Sequence, residues 1–172
     1  MVSATKMENI VDKATKDSCK NTPMVKPKQV TIAEIAPDLA LTFTEEQYHR
    51  LQKGLIPTAM EDKWFIYCEN DCLHFHRSWT GLELYRAPII TEANKNGMTL
   101  YAIKTFDIET DEETQKDRND QFDLDVLAQL ILWGLLGIDI RKSFIDVHGE
   151  GPKGSLLIWT LFGRMFFPEN GD

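Results

Sequence analysis

From Lys63 to Arg86 apolar and polar residues alternate with a period of two, the pattern of strands that bury one face. Asn70-Asp71 and Thr80-Gly81 interrupt it with turn chemistry, so three consecutive antiparallel strands are expected. With Asn70 and Asp71 at the centre of the first turn, Glu69 faces Cys72, Cys68 faces Leu73, Tyr67 faces His74, Ile66 faces Phe75 and Phe65 faces His76. One side then gathers Trp64, Ile66, Cys68, Leu73, Phe75, Trp79, Leu82 and Leu84 as a core face. The other gathers Phe65, Tyr67, Glu69, Cys72, His74, His76, Ser78, Glu83 and Tyr85. Solvent exposure alone does not require that mixture of polar and aromatic side chains, which marks a candidate functional face.

Elsewhere the period changes. Thr44-Glu-Glu-Gln47 matches a capping box, and Gly54 can end the helix it opens. Phe122, Val126, Leu130 and Trp133 recur at helical spacing, predicting a long helix over 122–136 capped by Asp120 or Asp123. Gln29 to Ile35 reads as extended, Ala87 to Ile90 as a continuation of the third strand, and Thr99 to Phe106 as a fourth strand. Arg141 to Val147 reads as a further strand, Gly149 to Gly154 as a loop, and Ser155 to Phe167 as a helix. Gly149-x-Gly-x-x-Gly154 matches a dinucleotide-binding spacing but contains Pro152 and has no βαβ unit around it, so it is read as a loop. The resulting fold class is α+β: an antiparallel β-meander of about four or five strands packed against one long and one or two shorter helices. Residues 1–28 are polar with scattered apolar side chains and are expected to be a disordered leader before a single domain over 29–172.

Composition narrows the function. A net charge of −8 opposes attraction to nucleic-acid phosphates and anionic membranes, so nucleic acid is disfavoured as a partner and no membrane is expected. The longest apolar run, Val126 to Ile138, is too short to cross a bilayer. Three cysteines without a secreted-scaffold spacing point to a reducing, cytoplasmic location.

Cys68, Cys72, His74 and His76 offer four metal ligands within a short span, but strand alternation sends Cys68 to the core face and the others to the opposite one. His74 and His76 alone could share a metal with Cys72 or Glu83, but the leading reading is a histidine pair with no metal or cofactor. As a catalytic set, His76 is the candidate acid/base, with Ser78 beside it and Glu83 or Tyr85 to orient the ring. A sharp elbow and oxyanion donors are missing, which argues against covalent catalysis. As a binding surface, Phe65, Tyr67 and Tyr85 around His74 and His76 could stack a planar ring, with Trp79 among the ligand contacts, while Arg77 or Arg86 meets a phosphate or carboxylate. Arg77, placed among core residues, also demands a partner, either an acid from the Glu109 to Asp120 run or the end of the long helix.

Met60-Glu-Asp-Lys-Trp-Phe-Ile-Tyr67, followed by Leu73-His-Phe-His-Arg-Ser-Trp-Thr-Gly81, resembles a small bacterial family of unknown function with a Trp-Phe-x-Tyr … Phe-His-Arg-Ser-Trp-Thr-Gly core. The resemblance covers Met60 to Tyr85, places relatives near proteins that process ADP-ribose, and carries over no catalytic role. The expected function is a protein-binding or regulatory module, immunity-like, whose acidic surface engages a basic partner. The alternative is a small hydrolase or transferase acting on a nucleotide or ADP-ribose-like ligand with His76 as acid/base.

Overall fold

The computed structural model describes residues 13–20, 23–39, 41–111, 118–149 and 151–166. The strands are β1 (Val30–Glu34), β2 (Leu41–Phe43), β3 (Trp64–Glu69), β4 (Cys72–Arg77), β5 (Glu83–Pro88), β6 (Ile90–Ala93), β7 (Thr99–Ile103) and β8 (Thr105–Glu109). The helices are α1 (Glu45–Lys53), α2 (Asp120–Gln129), α3 (Arg141–His148) and α4 (Gly151–Phe162). Two antiparallel sheets result, one ordered β1-β8-β5-β4-β3 and the other β2-β7-β6. The fold is therefore α+β around a β-meander, as its alternation implies. Among the described residues no helix is long and apolar enough to cross a membrane.

Asn70 and Asp71 both take left-handed angles (φ 52° and 55°), the conformation of a type I′ turn, which short polar side chains tolerate. The β3–β4 register follows as expected, from Trp64 opposite Arg77 to Glu69 opposite Cys72. The second turn does not. Arg77 N–H donates to Leu82 O (2.9 Å) and Gly81 N–H to Arg77 O (2.8 Å), so the loop spans Ser78–Gly81 rather than pivoting on Thr80-Gly81. His76 then pairs with Glu83, and a bulge between Phe75 and His76 pairs Phe75 with Tyr85, leaving Leu84 as the extra residue. Tyr85 therefore lies on the core face, and Trp79, expected there, stands out in the loop.

The chain changes sheets twice where the sequence reads continuous strands. β5 ends at Pro88, which has no N–H to extend the ladder, and β6 joins the smaller sheet. Lys104 separates β7 from β8 in the same way. One face of the larger sheet (Ile66, Leu73, Phe75, Ala87, Phe106, Ile108), the inner residues of the smaller one (Phe43, Ile103) and the helices' Val126, Leu130, Ile131, Phe144, Ile158 and Phe162 form one core.

α1 opens with the expected capping box: Gln47 N–H donates to Thr44 Oγ1 (3.2 Å), and Thr44 N–H to Gln47 Oε1 (3.0 Å). It ends at Gly54, φ +68°, where a Cβ would stand 2.2 Å from Ile66 O. α2 is capped by Asn119, whose Oδ1 accepts from Phe122 N–H (2.9 Å), and not by Asp120 or Asp123. The helix then widens into a π segment, Leu130–Leu135.

Arg141 to Val147 is helical, a correction to the strand expected there. Phe144 is its anchor, packing edge-on against Phe162 at 5.0 Å. The expected loop at 149–154 is instead, from Gly151 on, the first turn of α4, where Pro152 is tolerated; Glu150 lies outside the described residues. At Gly154 a Cβ would fall 2.2 Å from the Gly149 carbonyl carbon, so only glycine lets the two helices meet this closely.

Of the leader expected over 1–28, residues 13–20 and 23–28 are described. Ala14 is fully buried on Phe65 and Tyr67, and its N–H donates to Lys53 O (2.8 Å). Val25 bridges Leu82, donating its N–H to Gly81 O (3.0 Å) and accepting from Glu83 N–H (3.0 Å).

Candidate functional site

Strand alternation brings His74, His76 and Glu83 together on the second face of the larger sheet. His74 Nδ1 lies 2.5 Å from Glu83 Oε1, and the same oxygen is 3.9 Å from His76 Nε2. Arg86 donates to the other carboxylate oxygen, Oε2, at 2.7 Å. The ring of Tyr67 lies parallel to both imidazoles, at 4.7 Å from His74 and 5.6 Å from His76. His76 Nδ1 faces Gly81 O at 2.8 Å, so Nδ1 carries the hydrogen. The opposite nitrogen, Nε2, is buried without a hydrogen-bond partner.

Electrostatics divide the roles. Burial by itself pushes the Glu83 carboxyl up, but hydrogen bonds from His74 and Arg86 outweigh it and hold the group at about 2. Burial lowers the His76 imidazole below its ordinary value, although the Gly81 carbonyl and Glu83 pull the other way. Burial also pushes the Cys72 thiol up to about 12, so Cys72 supplies no thiolate here. Cys68 packs against the main core on the far side of the sheet, so the four-ligand arrangement does not form.

The catalytic set expected around His76 is only partly assembled. His76 is 4% exposed, on the face where Ala14 packs against Phe65 and Tyr67. Ser78 donates its hydroxyl to Asp62 O (2.5 Å). Tyr85 lies in the main core and donates to Asp123 Oδ1 (2.6 Å), which itself accepts from Arg118 Nε (2.9 Å). Burial, with Asp123 beside it, keeps the Tyr85 phenol protonated well beyond the usual range.

Arg77 and Trp79, expected to bind ligand, lie elsewhere. Arg77 spans Trp64 (5.0 Å to the ring) and donates to Leu161 O (2.9 Å), which also accepts from the Trp64 indole N–H (2.7 Å), and to Thr160 O (3.0 Å), carbonyls at the end of α4. Among the described residues, neither the acidic run nor the long helix supplies its partner. Trp79 is 60% exposed, donates its indole N–H to Met60 O (2.8 Å), and lies under the ammonium of Lys63 at 4.8 Å.

Lys63, Arg77, Trp79, Thr80, Trp159 and Thr160 line a groove of about 240 Å³. On its helical side α4 buries Gly154, Ile158 and Phe162, while Leu156 and Trp159 remain 67% and 40% exposed. Lys63 is also shared with an adjoining cavity of about 440 Å³, lined by Leu55, Pro57, Trp64 and Met165 and edged by the Asp62–Arg164 ion pair. Sequence reasoning missed Lys63 and Trp159 as parts of a site. The available signal was α4 itself, apolar on nearly every side and so too apolar for a helix with one buried stripe. Among known proteins, no family model, no curated sequence and no solved structure matches this chain.

Proposed function

We propose that this protein is a protein-binding module that takes an acidic, apolar-anchored segment of a partner into the groove between the Ser78–Gly81 loop and α4. The observation that carries this reading is the pairing of two partly exposed tryptophans, Trp79 and Trp159, with two cations, Lys63 and Arg77, in one 240 Å³ groove. Tryptophan and arginine dominate binding energy at interfaces because each combines a large contact area with a directional polar group. Met60 and Leu156, both mostly exposed, extend the apolar area on either element. In a chain of net charge −8, a groove whose charged side chains are cationic selects an acidic segment and rejects a basic one.

The acidic run expected to engage a basic partner is described only in part, since residues 112–117 lie outside the described set. The enzyme reading finds less support, because His76 is buried and Ser78 and Tyr85 are committed to Asp62 and Asp123. Selection from a displayed peptide library is expected to enrich segments that interleave Asp or Glu with Phe, Leu or Trp. Lys63→Glu and Trp79→Ala should each weaken the selected peptide by about ten-fold or more, roughly 1.4 kcal/mol, with the melting temperature unchanged. Enrichment of basic segments, or equal affinity in the Trp79→Ala/Trp159→Ala double variant, would refute the proposal.

A further inference from the structure

The geometry points to a structural zinc site at His74, His76 and Glu83, on the covered face of the larger sheet and separate from the groove. The three side chains each offer a ligand atom within 4.8 Å of the others. A tetrahedral zinc with donors at about 2.0–2.1 Å sets those donors about 3.3 Å apart. The His74–Glu83 pair at 2.5 Å must open slightly and the His76–Glu83 pair at 3.9 Å must close slightly, both within side-chain adjustment.

Three features separate this cluster from an ordinary buried polar network. His76 Nε2 is buried with no partner, and an orphaned imidazole nitrogen costs free energy that a metal bond would recover. His76 Nδ1 is held by the Gly81 carbonyl, the arrangement that fixes a ligating histidine with its free lone pair on the far nitrogen. Arg86 donates mainly to Glu83 Oε2 (2.7 Å) and only at 3.4 Å to Oε1, the oxygen that faces the two rings. Tyr67, parallel to both imidazoles, keeps them in place. Two imidazoles and a carboxylate are a donor set for zinc or a neighbouring first-row divalent ion, and not for magnesium. The fourth position would fall to water. With the face covered, such an ion would tie β4 to β5 rather than act on a substrate.

The test uses the full chain, stripped with EDTA and titrated with zinc chloride against a chromophoric chelator. One zinc per chain, a melting temperature raised by zinc but not by magnesium, and tetrahedral ligand-field absorption with cobalt(II) are expected. His74→Gln and Glu83→Gln should weaken zinc by about 100-fold or more, whereas His49→Gln should leave it unchanged. His76→Gln belongs to the same series; should it fail to fold, His74→Gln decides, because His74 has the most exposed ring of the set at 16%. No zinc retained at micromolar concentration, or zinc held equally by wild type, His74→Gln and Glu83→Gln, would show a polar network only and overturn the site.

Discussion

Asp123 is fully inside the protein, where Arg118 and Tyr85 both donate to Oδ1 while Oδ2 has no hydrogen-bond partner. Arg118 is shared with Glu109 at 3.7 Å. A buried pair of this kind adds little over a well-packed apolar replacement, but removing one member strands the other. Asp123→Ala is accordingly expected to cost about 3–5 kcal/mol, seen as a lower urea midpoint at unchanged slope. Asp123→Asn, which keeps an acceptor for Tyr85, should cost less. Equal losses in the two variants would place the effect in packing rather than in the charge.

Asp62, like Glu83, contributes to the pH dependence. Burial alone would raise its carboxyl, but the N–H groups of Thr58 (2.8 Å) and Ala59 (3.1 Å) and the guanidinium of Arg164 (2.8 Å) lower it below the ordinary value. The folded state then holds this proton more weakly than the unfolded chain does. The stabilisation is complete above the unfolded carboxylate range, at about pH 4, and disappears as pH falls through the folded value. Asp62→Asn should lower stability at neutral pH and converge on wild type in acid; parallel curves of unfolding free energy against pH would reject the assignment.

At the scale of the element, what is written locally was legible and what depends on distant packing was not. Thr44, Gln47 and Gly54 specify α1 by contacts within the helix and its ends, and the Asn70-Asp71 turn fixes its own hairpin register. The four-residue loop Ser78–Gly81 set Glu83 opposite His76, and the bulge at Phe75/His76, which carries no sequence mark, moved Tyr85 into the core. The segment Arg141 to Val147 reads locally as a strand, yet it is helical because Phe144 meets Phe162 and Phe166 from sequence-distant turns. Half of the groove was visible in Arg77 and Trp79, while Trp159 reached it only through the placement of α4. The two ends of α1 differ in consequence. Thr44→Ala should cost about 1 kcal/mol as a lost cap. Gly54→Ala should cost clearly more, because it combines φ +68° with a Cβ 2.2 Å from Ile66 O. Comparable losses in denaturant unfolding would mean that the backbone at Gly54 relaxes freely.

Across the whole molecule, the two faces of the larger sheet are buried by different parts of the chain. The helices close one face from the C-terminal half, and on the other residues 13–19 cover the Phe65–Tyr67 region, with Ala14 seated on both rings beside Cys19 and Ile56. The second cover is small, so it should open locally while the main core stays folded. A charge at Ala14 would have no partner in that seat, a penalty of a few kcal/mol that exceeds what so few apolar contacts return. Ala14→Asp is therefore expected to detach the segment. Cys19 should then react with maleimide, and trypsin should cut after Lys16 and Lys20, about ten-fold faster or more, since each 1.4 kcal/mol of opening is a factor of ten. The far-ultraviolet circular dichroism of the sheets should persist. Unchanged thiol and cleavage rates would mean that residues 13–19 are held by something other than Ala14, and loss of all structure would mean that the sheet cannot stand without both covers.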